Sequence, residues 1–177
     1  KTNPSYIDLD NINTDTWSEF TIEAWIRPDS TDNTYPRFFS KANTGADADN
    51  IISFMTRGSG GNRHLRLVFN TTAGSTGYNT PTNSITPGSW YHVAASINTA
   101  NNSLNKLFIN GVSQTLTTTI GPNDGPTLKA GIANQYFVIG NATTDPTYYR
   151  HFDGAVDELR FSNVARSADW IAASYTN

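Results

Sequence analysis

Apolar and polar residues alternate along several short stretches of the chain, and turn-forming residues separate these stretches. In the clearest one, Phe20–Arg27, every second residue is apolar, which predicts a strand with one face in a core. Trp25 lies on the other face and indicates that this side is partly covered as well. Spacing of this kind is typical of an all-β sandwich or barrel. The other predicted strands are Phe38–Lys41, Ile51–Arg57, Leu65–Asn70, Trp90–Ile97, Lys106–Gln114, Phe137–Gly140 and Ala155–Phe161.

Turn residues between the strands predict two tight connections and two long ones. Asn110 and Gly111 stand between two apolar runs and predict a two-residue hairpin turn. The glycine-rich segment Gly58–Asn62 predicts a second hairpin-like connection. The polar segments Asn70–Ser89 and Thr117–Gln135 predict either long loops or irregular edge hairpins, and loops of that length are often functional.

Only the end of the chain has a helical pattern. Ser167 is a suitable N-cap for a short helix over Ala168–Tyr175, with Trp170 and Ile171 facing the body of the protein. Elsewhere Thr and Asn together supply about a quarter of the residues, and both are weak helix formers. The composition therefore favours strands joined by polar turns.

Composition and charge exclude several classes of function. The net charge is −3 and the 12 Lys and Arg residues are scattered singly, which argues against nucleic-acid binding. No apolar run approaches the ~20 residues of a membrane span. There is no cysteine, so disulfides and thiolate chemistry are excluded. Few charges and abundant Asn, Thr and Ser are more typical of an extracellular or cell-surface protein than of a cytosolic one.

The acidic and histidine residues do not form a recognisable catalytic pattern. The three glutamates are Glu19, Glu23 and Glu158, and none has a second acid at a spacing that would place two carboxylates across a sugar bond. His92 follows a strand residue and is interpreted as structural, and His64, after a glycine-rich loop, as solvated. We therefore expect a protein that is not an enzyme.

Aspartates in several loops are candidate calcium ligands, because calcium prefers carboxylate and carbonyl oxygens. Asp8 and Asp10 lie near the start, and Asp47 and Asp49 lie between two predicted strands. Asp157 lies inside the last predicted strand, on a side expected to face the core, where a carboxylate must be paired, metal-bound or hydrogen-bonded. The alternative for Asp157 is a buried acid satisfied by N–H groups or an arginine.

Glu23 and Arg160 lie on the less apolar faces of the early and last strands. If those strands are neighbours, the two side chains are expected to form a cross-strand ion pair. This pair is a structural prediction without a functional role.

Aromatic rings in loops are the candidates for sugar binding, because rings stack on the C–H faces of sugars. The strongest candidates are Tyr78 in one long loop and the cluster Tyr148, Tyr149, Arg150 and His151 in another. Arg150 is available for a carboxylate or sulfate group. The alternative is that such rings only cover the ends of a sandwich. The loop aromatics considered are Trp17, Tyr35, Tyr78, Tyr136, Tyr148 and Tyr149.

Four segments resemble the laminin-G-like, concanavalin A-like lectin/glucanase domains of large secreted bacterial proteins. They are FTIEAWIRP at Phe20–Pro28, WYHVAASI at Trp90–Ile97, LFINGVSQ at Leu107–Gln114 and FDGAVDELRFSNVARSADWI at Phe152–Ile171. The resemblance implies an all-β jelly-roll sandwich of two antiparallel sheets with a short C-terminal helix. The catalytic E-x-D-x-x-E motif of the glucanases is absent here.

The resemblance also implies a structural calcium ion. The acid of the D-E-L-R segment often helps to hold that ion, and the matching residue is Asp157, with partners expected near Ile7–Asp10 and Lys41–Gly45. Asp157, Asp8 and Asp10 are therefore the predicted metal ligands.

Taken together, the chain is expected to be one laminin-G-like domain over residues 1–177. The first functional hypothesis is a non-catalytic carbohydrate-binding or adhesion module of an exported protein, with a glycan or cell-surface polymer as its partner. The second is a structural subunit of an extracellular filament, surface layer or virion that self-associates and binds no sugar. Because a jelly roll presents variable loops on a rigid scaffold, the fold alone does not decide between them.

Overall fold

The structure is a computed structural model that describes residues 6–10, 12–29, 35–42, 50–59, 62–131, 135–143 and 150–177. Within these residues the chain forms twelve strands, a short 3₁₀ helix and one α-helix. The strands are β1 (Ile7–Asp8), β2 (Glu19–Pro28), β3 (Arg37–Ala42), β4 (Asn50–Ser59), β5 (Asn62–Thr71), β6 (Gly74–Asn79), β7 (Tyr91–Asn98), β8 (Lys106–Ile109), β9 (Val112–Ser113), β10 (Thr117–Ile120), β11 (Tyr136–Ile139) and β12 (Gly154–Ser162). The 3₁₀ helix is Asn102–Leu104 and the α-helix, α1, is Ala168–Thr176.

The strands form two antiparallel sheets. A seven-stranded sheet has the order β1-β11-β3-β4-β5-β6-β10, and a five-stranded sheet has the order β12-β2-β7-β8-β9. This arrangement confirms the predicted all-β sandwich with a short C-terminal helix. The first and last long strands, β2 and β12, are direct neighbours in the five-stranded sheet.

The inner faces of the two sheets share one hydrophobic core. Side chains from β2 and β7 pack against side chains from β3, β4, β5 and β11, because every second residue of each strand points inward. Phenylalanines carry much of this contact: the ring of Phe161 lies 4.9 Å from Phe137 and 5.4 Å from Phe39 between centroids. Lys41 also points inward, and its Nζ donates to the carbonyl oxygen of Ile12 at 2.6 Å.

The predicted hairpins are present. Asn110 and Gly111 have φ values of 50° and 75°, and Ile109 pairs with Val112 across the two-residue turn. Asn tolerates and Gly favours such left-handed values, which explains why this dipeptide joins β8 to β9. β4 and β5 form the second hairpin. The two long polar segments contain β6 and β10, which pair with each other at the end of the seven-stranded sheet where β10 is the edge strand, so the alternative of edge strands describes them better than loops do.

Helix α1 covers the outer face of the five-stranded sheet. Ile171 is fully buried with Ala94 and Phe108 in a second, small apolar cluster. The Tyr175 ring lies 5.7 Å from Trp25, so the predicted cover over the second face of β2 is provided by this helix. Among the described residues there is no helix with the length and apolar character of a membrane span.

The predicted cap and orientation of α1 are largely confirmed. The Ser167 hydroxyl accepts a hydrogen bond from the backbone N–H of Trp170 at 3.2 Å, which satisfies a donor that the first helical turn leaves open. Ile171 faces the sheet, whereas Trp170 remains 38% exposed. The helix therefore attaches through its middle and its C-terminal turn.

A buried carboxylate lies between this helix and the sheet. Glu23 is 1% exposed, and its Oε1 accepts hydrogen bonds from Arg160 Nη1 at 3.0 Å and from Ser174 Oγ at 3.2 Å. Arg160 is the register partner of Glu23 and also binds Glu158 at 2.9 Å. The predicted cross-strand ion pair is thus confirmed. The interpretation of His92 as a structural residue is also confirmed, because it is 2% exposed and its Nε2 lies 3.7 Å from Glu23 Oε2.

Replacing Arg160 with Met is expected to lower the free energy of unfolding by about 1–3 kcal/mol. The buried Glu23 carboxylate would lose the guanidinium partner that it has among the described residues, and an uncompensated buried charge is costly. Glu23→Gln in the same background should restore part of the loss, because the amide carries no charge. Urea denaturation of both single variants and the double variant tests this as a double-mutant cycle. Strictly additive losses would show that the two side chains are not coupled.

Lowering the pH from 7.5 to 5.5 is expected to destabilise the fold through His92. Burial lowers the pKa of His92 below its ordinary value of 6.5, and this effect outweighs the opposing attraction of Glu23. Below pH 6.5 the unfolded chain therefore binds a proton that the folded chain does not. The free energy of unfolding consequently decreases as the pH is lowered, by at most about 1.4 kcal/mol per pH unit for this group. His92→Gln should reduce the slope measured by denaturation at several pH values. A slope that steepens in this variant would contradict the assignment.

Candidate functional site

Tyr78 does not lie in a loop, contrary to the sequence-based prediction. It lies in β6, directly opposite Leu67 of β5, and its side chain points into the core with only 4% exposed. Its hydroxyl donates to Asn102 Oδ1 at 2.7 Å, and burial raises its pKa. The ring is therefore a structural element that joins β6 to the 3₁₀ helix and is not available to stack on a ligand.

The second predicted group is only partly within the described residues. Tyr148 and Tyr149 lie outside them, whereas Arg150 and His151 are described and half-buried. The carbonyl oxygen of Arg150 accepts a hydrogen bond from the Arg37 N–H at 3.0 Å, and His151 forms a bridge with Arg37 at the start of β3. These contacts hold the two residues beside the seven-stranded sheet.

Arg150 meets a tyrosine and a second arginine. Its guanidinium carbon lies 4.8 Å from the centre of the Tyr35 ring, and that of Arg57 lies 5.0 Å from the same ring. Arg57 Nη2 also donates to the Tyr35 hydroxyl at 3.3 Å. Both distances are within the range of cation–π attraction. Two guanidinium groups thus converge on one aromatic ring, and within the described part of the chain neither forms an ion pair with a carboxylate.

His64 lies next to this group. It is the register partner of Arg57 and is 8% exposed, so the sequence-based interpretation as a solvated histidine is wrong. Neither ring nitrogen has a hydrogen-bond partner among the described residues. Burial lowers its pKa, and the positive charges of Arg57 and Arg66 lower it further, so the ring is neutral at pH 7. We call Tyr35, Arg57, His64, Arg150 and His151 the arginine–tyrosine cluster.

Strand register explains why the sequence did not reveal this cluster. Met55 is the partner of both Arg37 and Arg66, so all three side chains project from the outer face of the seven-stranded sheet. Arg57 and His64 form the next row on that face. Basic residues that are single and distant in the sequence become neighbours once β3, β4 and β5 pair. The signal that could have found them is the shared parity of Arg57, His64 and Arg66 across a predicted hairpin.

The predicted metal ligands are not brought together. Asp157 pairs with Trp25 and is exposed on the outer side of β12, which corrects the expectation that it faces the core. The register is interrupted between Asp157 and Arg160, where Glu158 has φ 48° and its N–H donates to Asp157 Oδ1. Asp8 lies in the other sheet, and its Oδ1 accepts the N–H of Asp10 at 2.9 Å.

The described residues therefore do not fit a calcium site built on those three carboxylates. No group of three or more acidic, histidine or cysteine residues that could share an ion occurs within them. Asp47 and Asp49, the other predicted pair, lie outside the described residues. The calcium ion remains a prediction.

A concave surface lies between β12 and α1. It consists of two clefts of about 360 Å³ and about 130 Å³ that share Arg160 and Trp170. The Arg160 charge is balanced there by Glu23 and Glu158. Arg166 stacks on Trp170 with its guanidinium carbon 4.8 Å from the ring centre. Because opposite charges are paired at this surface, it has less to offer a charged ligand than the arginine–tyrosine cluster.

Known structures with the same architecture include three from proteins of diverse origin. A native heptameric SAP-like pentraxin from Limulus polyphemus matches 99% of this chain and 77% of its own at 17% identity and a TM-score of 0.71. The CBM40 of a Ruminococcus gnavus IT-sialidase, bound to alpha2,3 sialyllactose, matches 97% and 96% at 15% identity and a TM-score of 0.64. At these identities the likeness concerns the fold alone.

A third structure is closer in sequence. Domain 4 of AbnA, a GH43 extracellular arabinanase from Geobacillus stearothermophilus, in complex with arabinotriose, is 25% identical. The match covers 89% of this chain and 66% of that one, with a TM-score of 0.56. No curated protein matches the chain. The family model described as the concanavalin A-like lectin/glucanases superfamily, of the Laminin_G_3 type, matches residues 1–172, and the chain belongs to that family.

Proposed function

We propose that this chain is a non-catalytic carbohydrate-binding module that holds its glycan at the arginine–tyrosine cluster. The observation that carries the proposal is the convergence of Arg57 and Arg150 on the Tyr35 ring without a carboxylate partner in the described residues. Sugar sites combine an aromatic face with planar polar groups, and this cluster offers both. Arginine forks supply several N–H donors in fixed directions, which suits hydroxyl and carboxylate oxygens.

The scaffold supports such a role. Tyr35 is followed by Pro36, whose carbonyl oxygen accepts the Thr56 N–H at 3.2 Å, and Arg150 is held by the N–H of Arg37. The backbone at the cluster is therefore anchored to β3 and β4, both of which contribute to the core. Groups held in this way lose little conformational entropy when a ligand binds.

Structural neighbours support the ligand class. The Ruminococcus gnavus module binds sialyllactose and the Geobacillus stearothermophilus domain binds arabinotriose. One ligand is acidic and the other neutral, so the neighbours favour a glycan without selecting one. Because such modules commonly act on external polysaccharides, we propose that this chain belongs to an exported or cell-surface protein.

Self-association is a second candidate function, and one surface favours it. β1 lies at the edge of the seven-stranded sheet, and four large apolar residues at or next to it are 38–57% exposed. An exposed apolar edge is a suitable contact for another chain. These residues are Tyr6, Ile7, Leu9 and Ile12.

Tyr35→Ala is expected to weaken glycan binding about tenfold or more, because the ring that orders both guanidinium groups would be lost. A glycan array identifies the ligand, and isothermal titration calorimetry of the wild type and the variant measures the loss. Trp170→Ala is the matched control, because this ring also carries a stacked arginine but lies at α1. It should bind as the wild type does.

Two results would count against this assignment. Equal loss in both variants would indicate a general effect on folding, and equal retention would place the glycan elsewhere. An array without any binding, together with light scattering that shows oligomers, would favour the assembly function.

The proposed structural calcium can be tested by its removal. Calcium that binds only the folded chain raises the melting temperature by mass action, so EGTA should lower it and excess calcium should restore it. A wild-type melting temperature that is the same in EGTA and in calcium would refute the proposal.

A further inference from the structure

The arginine–tyrosine cluster is positively charged in a protein whose net charge is negative. The sequence carries 15 Asp and Glu residues and 12 Lys and Arg residues. Other arginines outside the core differ from one another: Arg27 pairs with Asp29 at 2.8 Å, Arg160 pairs with Glu23 and Glu158, and Arg166 stacks on Trp170 without a carboxylate partner in the described residues. Within the described residues Arg57 and Arg150 have no carboxylate partner, and both contact the same ring, that of Tyr35. Like charges placed together repel, so this arrangement costs stability unless a ligand compensates it.

Two residues next to Arg57 on the same face of the sheet give a second observation of this kind. Arg66 is the register partner of Met55 and lies one row along the sheet from the pair Arg57 and His64. Its guanidinium donates to the neutral acceptors Asn79 Oδ1 at 3.0 Å and Thr119 Oγ1 at 2.6 Å. His64, the register partner of Arg57 and only 8% exposed, keeps both ring nitrogens without a hydrogen-bond partner in the described part of the chain. Buried polar atoms normally find a partner, so an unpartnered imidazole beside two arginines points to a polar group that binds there.

The donors suit one chemical class in particular. Arg57 donates one N–H to the Tyr35 hydroxyl, and within the described residues neither Arg57 nor Arg150 has a carboxylate partner. A guanidinium fork binds two oxygens of a planar carboxylate or of a sulfate at once. The Tyr35 ring, over which both guanidinium groups lie, holds these donors near one another.

We propose that the arginine–tyrosine cluster binds the carboxylate or sulfate group of an acidic sugar, with Arg57 and Arg150 as its charged donors. This inference rests on the proposed function and assigns the ligand class within it. A neutral glycan would leave the two guanidinium charges uncompensated and would use only part of the available donors. The acidic group therefore supplies most of the selectivity, and the Tyr35 ring positions the two guanidinium groups that bind it.

Matched pairs of glycans test the inference on the intact chain. Calorimetry would compare 3′-sialyllactose with lactose for the carboxylate, and 3′-sulfated lactose with lactose for the sulfate. At least one acidic member is expected to bind about tenfold or more tightly than lactose, and the arm that responds identifies the acidic group. Raising the salt from 50 to 300 mM should weaken that binding and leave any lactose binding unchanged.

Variants then assign the charged donors. Arg57→Gln and Arg150→Gln should each reduce the preference for the acidic sugar about tenfold, and Arg150→Lys should lose less, because it keeps the charge without the fork. Arg166→Gln is the matched control, since this arginine also stacks on an aromatic ring. It should leave the preference unchanged, and thermal melts establish that all variants are folded.

The outcomes separate this inference from the proposed function. Equal affinity for acidic and neutral sugars, sensitive to Tyr35→Ala but not to the arginine variants, would overturn the acidic class and keep the glycan-binding function. No binding of any glycan on a broad array would overturn both. A preference for acidic sugars that survives both glutamine variants would also overturn the inference, because the charged donors would lie elsewhere.

Discussion

The side-chain alternation of the β4–β5 hairpin is the constraint on which the other features depend. Because successive residues point to opposite faces, Phe54 and Leu67 enter the core while Arg57 and His64 project outward. A slip of one residue would bury two charged rows and expose the phenylalanines, so the register is held by the apolar face. The core therefore determines where the basic side chains meet. The register that packs the inner face of this hairpin therefore also fixes which side chains are neighbours on its outer face.

The same logic operates on the five-stranded sheet, with a different result. Its outer face also carries charged side chains, but there Glu23 meets Arg160 and helix α1 covers the pair. The alternation places Glu23 outward between Ile22 and Ala24, and the helix then removes it from water. Burial of this carboxylate is tolerable because a guanidinium and a hydroxyl satisfy one of its oxygens. The charges of this sheet are paired within the fold, whereas Arg57 and Arg150 beside the seven-stranded sheet have no carboxylate partner within the described residues.

Sequence patterns predicted the architecture well because it follows from local periodicity. The strand at Phe20–Arg27, the Asn110–Gly111 turn, the Ser167 cap and the Glu23–Arg160 pair each depend on a few neighbouring residues or one strand pairing. The arginine–tyrosine cluster depends on three strand pairings and an attached segment at once, so no local signal contained it. Tyr78 and Asp157 were misjudged for a related reason. A strand inside a polar segment buried the tyrosine, and a register irregularity accompanies the exposed aspartate.

Membership of a large lectin-like family explains the scaffold and leaves the ligand to be decided by charge and shape. Solved structures with this fold include a module with an acidic sugar and one with a neutral arabinose oligomer. A shared fold does not fix the ligand, because binding residues commonly lie on loops and surfaces that a rigid scaffold supports. For the present chain, the informative comparison is internal. Arg27 and Arg160 have carboxylate partners, and Arg57 and Arg150 have an aromatic ring in place of one within the described residues. Both arrangements occur on one scaffold, and the pair of arginines without a carboxylate is the one to which the proposed ligand is assigned.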